Sequence, residues 1–238
     1  MIVAITCTGD RPEALARCFD YMMRQTVQPD KWIVVDDGVE KAEQLVAPCT
    51  EMQIIQIERD ARPGVMTMAR NLDCALGMVD DDDRVVIIED DDWYAHNYIE
   101  HMAHELQQWA LVGERDAMYY NVRSRQWWRC DNQAHASLCA TAVTGAGVRA
   151  LRAAVTRARQ IGKAWIDLRL WRTAGVPYLL DAGDLCVGIK GMPGRAGFGA
   201  GHRPKPGRWT DDPDMRTLRM LVGDSDAEWY AQFGEHAT

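Results

Sequence analysis

Four apolar β-branched residues, Val85–Ile88, run directly into four carboxylates, Glu89–Asp92. An uninterrupted apolar run of this kind predicts a strand that is buried on both faces, as in a parallel sheet covered by helices. The carboxylates cannot continue into a core, because like charges a few ångströms apart repel strongly without a counter-charge. Open α/β sheets bind ligands just outside the carboxyl ends of their strands. The sequence therefore predicts a ligand site at the end of this strand.

A divalent cation explains the acidic run best, because Mg²⁺ and Mn²⁺ bind oxygen ligands and can share them with phosphate oxygens. The apolar strand supports this interpretation, since it fixes the place at which the acids emerge. The alternative is a solvated acidic loop in front of a helix that begins near His96, because Asp favours helix N-termini. A second acidic run, Asp80–Asp83, precedes the strand and is interpreted as a solvated turn.

The first half of the chain alternates predicted strands and helices. Apolar runs predict strands over residues 2–5, 32–35, 52–57 and 85–88, and helical spacing predicts helices over 11–25, 39–47 and 66–78. This alternation is typical of a parallel, doubly wound α/β sheet. The carboxyl ends of such strands would bring residues 6–11, 36–37 and 89–92 to one edge of the sheet.

The pattern changes in the second half. We predict helices over residues 97–111, 148–159 and 168–174, strands over 117–123 and 140–143, and a loop rich in Gly, Pro, Arg and Lys over 186–208. We find neither an internal repeat nor a low-complexity linker between the two parts. The sequence therefore predicts a single domain that spans residues 1–238.

The composition limits the class of protein. The chain has 238 residues, of which 47% are hydrophobic and 26% charged, so it is globular rather than disordered. No apolar run approaches the roughly 18 residues of a membrane span, so we expect no membrane partner and a cytoplasmic location. Seven cysteines without a C-x-x-C spacing argue against a disulfide framework and a zinc site.

The charge is distributed unevenly. The net charge of −8 combines −14 over residues 1–114, +11 over residues 115–208 and −5 over residues 209–238. The basic segment is expected to meet an anionic partner, either nucleotide phosphates or a nucleic acid. Within it, Arg123–Arg129 interleaves arginines with tryptophans, which favours stacking on a sugar or a nucleic acid. The alternative is a strand with Trp in the core and Arg outside.

Four motifs occur in order along the first 110 or so residues: 2–12, Val34–Gly38, Ala69–Asn71 and 88–92. In order and spacing they resemble those of family 2 glycosyltransferases, which are nucleotide-sugar enzymes with the GT-A fold. The resemblance implies a Rossmann-like α/β fold, with a mostly parallel central sheet flanked by helices and a smaller mixed acceptor-side half. It divides the single domain into a nucleotide-sugar-binding half, 1–114, and an acceptor-side half, 115–238, with a Gly-rich loop over 188–208.

Several donor-binding candidates follow. Carboxylates at the second strand end are well placed to accept hydrogen bonds from a base or ribose, and the resemblance assigns this role to Asp37 and Asp36. The alternative for this pair is a plain turn with an Asp cap. The resemblance also places Arg70 near the nucleotide. The loop after the first strand adds Thr6, Thr8 and Arg11 to the same edge.

The acidic run resembles the metal-binding D-x-D motif of the family, in which Mn²⁺ or Mg²⁺ bridges the donor diphosphate. In the E-D-D version of that motif the last acid touches the metal, which makes Asp91 the ligand. Glu89 and Asp90 would then face the ribose or support the site. An alternative register, Asp90-x-Asp92, makes Asp92 a metal ligand and remains open.

The second half offers further candidates. Family 2 enzymes that invert configuration carry an acidic base before a helix containing L-W-L-R, and Asp167 is the matching acid here. A carboxylate can deprotonate an acceptor hydroxyl, although Asp167 could equally be a helix N-cap. In the Gly-rich loop, Lys190, Arg195 and Arg203 could neutralise a leaving diphosphate. His202 resembles the late histidine that completes the metal site in some GT-A enzymes, although the loop could instead be flexible and bind no ligand.

These observations predict a metal-dependent glycosyltransferase that uses a nucleotide-diphosphate sugar, with UDP as the expected nucleotide and inversion as the expected outcome. The small chain resembles phage-type transferases, which would act in the host cytoplasm on a hydroxylated base in DNA or on a protein. One alternative is a sugar-phosphate nucleotidyltransferase, but Thr6–Arg11 does not match its G-x-G-T-R loop. The other is a non-enzymatic nucleic-acid-binding module that uses the Arg/Trp segment.

Overall fold

The computed structural model describes residues 1–42, 50–60, 67–130, 132–162, 165–173, 177–181, 183–193 and 207–234. The strands in these ranges are β1 (Ile2–Thr8), β2 (Lys31–Asp36), β3 (Glu51–Gln56), β4 (Arg84–Ile87), β5 (Trp93–Tyr94), β6 (Leu111–Glu114), β7 (Met118–Asn121), β8 (Gln126–Arg129), β9 (Thr141–Val143), β10 (Tyr178–Leu180), β11 (Cys186–Lys190) and β12 (Thr210–Asp211). The helices are α1 (Pro12–Met23), α2 (Met68–Leu76), α3 (Tyr98–Glu105), α4 (Ala146–Ile161), α5 (Ile166–Thr173), α6 (Arg216–Val222) and α7 (Asp224–Ala231). No helix among these residues is long and apolar enough to cross a membrane.

The larger sheet has the strand order β10-β6-β9-β4-β1-β2-β3. Its strands run parallel except β9, which lies antiparallel between β4 and β6. Strand β1 pairs with β4 on one side and with β2 on the other, in a register that places Thr8 opposite Asp36. The carboxyl ends of β1, β2 and β4 therefore meet at one edge, as the sequence predicted.

The larger sheet is covered on both faces, which explains the uninterrupted apolar strands. Ala4, Val34 and Val86 point into one cluster with residues of α1 and α3. Their neighbours Val3 and Val85 point into a second cluster with residues of α2, α4 and α5. Because alternate residues of a strand face opposite sides, a strand between two helix layers must be apolar throughout.

The smaller sheet has the order β12-β8-β7-β11-β5. Strand β5 follows the acidic loop directly and pairs with β11, which also pairs with β7. Trp127 of β8 packs against the main core, whereas Trp128 stacks on Tyr119 and contacts Trp209. The Arg/Trp segment is therefore a strand whose half-buried tryptophans pack on opposite faces, which is nearer to the alternative interpretation of a strand with Trp in the core.

A buried carboxylate fastens the C-terminal helix pair to the first helix. Asp226 at the start of α7 accepts hydrogen bonds from the guanidinium groups of Arg17 and Arg24 on α1. It also accepts one from the indole Nε1 of Trp93 at 2.6 Å, and Tyr21 donates a hydrogen bond to Tyr230 at 2.9 Å. This contact connects α1, β5 and α7 around one charged group.

Several predicted boundaries are wrong. The helix predicted over 97–111 ends at Glu105, and Leu111 instead begins β6. A helix was predicted over 39–47, but residues 39–42 are irregular in the structure. Residues 43–49 lie outside the described residues. The predicted loop over 186–208 begins with strand β11, in which the Tyr119 ring lies 2.5 Å from where a Cβ of Gly188 would be. That glycine is therefore a packing requirement of a strand rather than a sign of a loop.

Candidate active site

The acidic run lies at the carboxyl end of β4, in the loop that leads to β5. Asp90, Asp91 and Asp92 are buried, and Glu89 is half-buried. Oxygens of Glu89, Asp91 and Asp92 lie within 4.8 Å of one another. The fold thus concentrates four carboxylates where the sequence predicted a ligand site.

Two side-chain cations already compensate part of this charge. The guanidinium of Arg11 lies 2.8 Å from Asp90 and 3.0 Å from Asp91. The ammonium of Lys190 lies 3.0 Å from Asp92 Oδ1, which also accepts the backbone N–H of Ile189 at 2.8 Å. The sequence predicted a metal ion as the sole counter-charge. The structure corrects this prediction, because three of the four carboxylates contact a protein cation, Arg11 or Lys190.

The remaining charge perturbs the acids unequally. Burial, together with the charges of Asp92 and Asp91, raises the pKa of Glu89 to about 8. Burial also raises the pKa of Asp90 to about 6, although Arg11 opposes the shift. Burial acts in the same direction on Asp91, but Arg11 and Lys190 overcome it and hold the pKa of Asp91 below its usual value. Asp91 is therefore the acid of this loop that the protein keeps ionised most firmly.

The two threonines of β1 have different roles. Thr8 donates a hydrogen bond from Oγ1 to Asp90 Oδ2 at 2.6 Å, so it orients an acid of the loop. Thr6 is completely buried and accepts the indole N–H of Trp32 at 2.9 Å. The prediction that Thr6 binds the donor needs correction, because its hydroxyl is enclosed in the core and already engaged.

A pocket of about 300 Å³ opens beside the acidic loop, between the loops that follow β1 and β2. Its lining includes Thr8, Asp10, Arg11, Asp36 and Lys41. Arg11 therefore borders both the pocket and the acids of the loop, although those acids themselves do not line the pocket.

Asp36 shapes the loop that walls the pocket. Its Oδ1 accepts the backbone N–H of Gly38 at 2.8 Å, and its Oδ2 accepts that of Ala42 at 2.7 Å. A Cβ at Gly38 would lie 2.6 Å from the backbone nitrogen of Asp10, so only glycine fits this close approach. Asp37 is completely buried, and its N–H donates to the carbonyl of Thr8 at 3.2 Å. The pair is therefore held against the end of β1.

Asp10 is a site residue that the sequence argument missed. Its Oδ1 accepts the N–H of Val39 at 2.5 Å, and its Oδ2 pairs with Arg59 at 2.9 Å. It has a φ of 55°, in the left-handed region where Asp is enriched. The Gly9-Asp10 turn could have signalled this conformation, but the contacts to Val39 and Arg59 could not be predicted locally. The pocket wall also includes Lys41, whose Nζ donates to the carbonyl of Ile57 at 2.8 Å.

Asp167 lies in the first turn of α5, where its Oδ1 accepts the N–H of Leu168 at 2.8 Å. Farther along the helix, Trp171 donates from Nε1 to the hydroxyl of Thr141 at 3.3 Å. Thr141 precedes Ala142, which pairs with Val86. Because β9 is antiparallel to β4, Thr141 lies at the same sheet edge as the acidic loop. Helix α5 is thereby anchored beside the candidate site.

The remaining candidates are distributed differently. Arg70 donates to the backbone carbonyl of Glu58 at 2.5 Å, on the β3 side of the edge. Lys190 belongs to β11 and contacts Asp92 as described above. Arg195, His202 and Arg203 lie outside the described residues, so their predicted roles stay predictions.

Comparison with known proteins identifies the class. The family model described as glycosyl transferase family 2 matches residues 3–146, so the chain belongs to that family. No curated protein matches the sequence of the chain.

Solved structures of S. aureus TarS resemble the fold. TarS residues 1–349 in complex with UDP share 10% identity with a TM-score of 0.54, over 79% of this chain and 60% of that one. The complex with UDP-GlcNAc shares 11% identity with a TM-score of 0.55, over 85% and 61%. This chain therefore spans about three fifths of the length of those structures. At this identity the likeness shows the fold, and it confirms the predicted GT-A architecture.

Proposed function

We propose that this chain is a glycosyltransferase that moves a sugar from a nucleotide-diphosphate sugar, with UDP as the nucleotide, to an acceptor hydroxyl. The observation that carries the proposal is an arginine that serves two sites in a member of family 2. Arg11 borders both an open pocket and the four-carboxylate loop. The similar TarS structures contain UDP and UDP-GlcNAc, which supports UDP as the nucleotide.

The pocket is the proposed nucleoside site. Its volume of about 300 Å³ falls at the lower end of the range for small-molecule sites. The family resemblance makes Asp37 the proposed partner of the base or ribose. Both oxygens of Asp36 accept backbone N–H groups. Asp36 then serves the nucleotide indirectly by shaping the loop, and Arg70 would act from the β3 side.

The acidic loop fits a divalent cation. Glu89, Asp91 and Asp92 provide three oxygens within 4.8 Å, and Asp92 Oδ2 has no hydrogen-bond partner among the described residues. Carboxylate oxygens are the donors that Mg²⁺ and Mn²⁺ prefer. When bound there, the cation would neutralise the charge that develops on the departing diphosphate. His202 is the proposed additional ligand.

Basic side chains outside the acidic loop have the remaining proposed roles. Arg11 holds Asp90 and Asp91 in place and can donate a further hydrogen bond to a phosphate in the adjoining pocket. Lys190 holds Asp92, and Arg195 and Arg203 are the proposed further cations for the diphosphate. The contacts of Arg11 and Lys190 are charge-assisted, so they hold the acids in place before the donor binds.

Asp167 is the proposed general base. An acceptor hydroxyl would lose its proton to Asp167 while its oxygen bonds to the anomeric carbon and the bond from that carbon to the diphosphate oxygen breaks. Attack from the side opposite the leaving group inverts the anomeric configuration. The hydrogen bond from Trp171 to Thr141 supports this role, because it ties α5 to the sheet edge at which β4 ends.

For the acceptor we propose a hydroxylated base in DNA, with a protein hydroxyl as the alternative. The net charge of +11 over residues 115–208 supports an anionic acceptor. Some of those arginines are engaged within the fold, however, because Arg149 and Arg152 pair with Asp81, and Arg159 pairs with Asp73. The one-domain organisation is also part of the proposal, and it is supported by a core cluster that contains residues of both sheets.

Release of UDP from UDP-sugars in the presence of Mn²⁺ tests the function, with Asp91→Asn as the variant and Asp224→Asn as the control. Asp91 lies in the acidic loop, whereas Asp224 is an exposed acid on α7. We expect Asp91→Asn to lose about 100-fold or more of the turnover, in line with the loss of one electrostatic contact to a transition state. The control should match the wild type. Equal turnover by both variants would contradict the proposal.

A further inference from the structure

A second group of potential ligands lies behind the acidic loop. A carboxylate oxygen of Asp92 and the sulfur atoms of Cys139 and Cys186 lie within 4.8 Å of one another. All three residues are buried, and Asp92 is completely so. The three side chains come from the loop before β5, from the turn before β9 and from the first residue of β11.

Buried hydrogen bonds hold both cysteines in place. The carboxylate of Glu114 accepts the backbone N–H of Cys186 at 2.9 Å and that of Leu185 at 2.8 Å. The hydroxyls of Tyr94 and Tyr98 donate to the backbone carbonyl of Cys139 at 3.2 and 2.9 Å. The two thiols are therefore positioned by the fold before any ligand arrives, which lowers the cost of binding.

Asp92 belongs both to this group and to the acidic loop, so its carboxylate can serve either cation. Its Oδ1 accepts hydrogen bonds from Ile189 N and Lys190 Nζ. Its Oδ2 is buried and has no hydrogen-bond partner among the described residues. The Asp92 carboxylate also interacts with the Cys139 thiol, so the carboxylate and the thiol already face each other in the fold.

The geometry points to a second cation site, formed by Asp92, Cys139 and Cys186, that takes thiophilic divalent ions such as Zn²⁺ and Cd²⁺ rather than Mg²⁺ or Mn²⁺. Thiolate ligands select such ions, whereas the carboxylates of the acidic loop suit hard ones. Zinc binds sulfur at about 2.3 Å and oxygen at about 2.0–2.2 Å. The ligand atoms lie within 4.8 Å of one another, so the widest of these separations would need to shorten by roughly 1 Å. A fourth position would remain for water.

The charges balance when the ion binds. Each thiol releases its proton to solvent as its sulfur bonds to the metal, and no electron is transferred. The two thiolates and the carboxylate then carry three negative charges, which the divalent ion and the Lys190 ammonium neutralise together. A cation bound at this site would also occupy the Asp92 carboxylate, which the proposed Mg²⁺ or Mn²⁺ site uses as well. Thiophilic ions should therefore inhibit the proposed transferase.

Titration of the metal-free protein with Cd²⁺ tests the site, with thiolate-to-cadmium absorption in the ultraviolet as the readout. We expect one equivalent to bind in the wild type. Cys139→Ala and Cys186→Ala should each weaken this binding by more than about 100-fold, since even outer-shell changes cost 10–100-fold. Cys74→Ala, which removes a half-buried thiol on α2, is the control and should bind as the wild type does.

Two results would overturn the inference: absence of the absorption in the wild type, or equal affinity in the Cys139 and Cys186 variants. Cadmium NMR of the wild type avoids the variants altogether, because its chemical shift should report two sulfur ligands, and a shift typical of oxygen ligands alone would refute the site. None of these readouts requires turnover. A failure here is therefore distinguishable from a failure of the proposed transferase activity.

Discussion

Replacement of Asp226 should destabilise the protein far more than replacement of any exposed acid on the same helix. The Asp226 carboxylate is 3% exposed and receives donors from Arg17, Arg24 and Trp93. Asp226→Ala leaves two guanidinium groups facing each other and one buried indole N–H without a partner. Loss of one member of a buried ion pair costs about 3–5 kcal/mol, and an unsatisfied buried N–H adds about 1–3 kcal/mol.

Solvent lowers this sum, because the Arg24 side chain is 38% exposed and can rehydrate. We therefore expect Asp226→Ala to reduce the free energy of unfolding by about 3–4 kcal/mol, or roughly 10 °C in Tm for a domain of this size. Asp226→Asn should cost less, since one amide oxygen can still accept from Trp93.

Urea denaturation followed by circular dichroism measures the effect. Asp224→Ala is the matched control, since Asp224 also lies in the first turn of α7 but is 82% exposed, and its pair with Arg219 should contribute less than about 0.5 kcal/mol. If Asp226→Ala were within about 1 kcal/mol of the control, the clamp between α1, β5 and α7 would not be a stabilising contact.

Three further perturbations test other parts of the structure. Burial raises the pKa of Glu114 to about 7, so the folded state holds this proton more tightly than the unfolded chain does. Glu114 should therefore contribute a fall of about 3 kcal/mol in the free energy of unfolding as the pH rises from about 4.5 to about 7, and Glu114→Gln should make denaturation curves less pH-dependent by that amount. Gly38→Ala places a Cβ 2.6 Å from Asp10 N, so calorimetry should show at least about tenfold weaker UDP binding if the pocket holds the nucleotide. Gly188→Ala places a Cβ 2.5 Å from the Tyr119 ring and should cost about 1–3 kcal/mol in thermal melts, and no change would contradict the close packing.

The parallel part of the fold was predictable because its signal is local. Buried strands such as Val85–Ile88 carry an uninterrupted apolar run, and the acids that follow mark the edge of the sheet. Strand β9 was predicted as a strand, but its antiparallel place between β4 and β6 was not, since three residues contain no information about their partners. Strand β11 was missed because Gly188 suggested a loop, although its missing side chain makes room for Tyr119.

The acids of the site were predictable from the sequence, whereas the cations that contact them were not. The position of Glu89–Asp92 directly after an apolar strand predicted a site there. Arg11 and Lys190 are distant from them in sequence, and only the folded chain brings their charges into contact. The same holds for Asp226. The sequence explains an acid at the start of a helix, but it does not predict that Trp93 donates a hydrogen bond to that acid.

The acidic loop crosses from one sheet to the other. Asp90 is tied by Thr8 to the last residue of β1, whereas Asp92 is tied by Ile189 N to β11. The two ends of the loop are therefore attached to different sheets. A shift of the smaller sheet against the larger one would therefore change the spacing of the carboxylates, because each sheet holds a different acid of the loop.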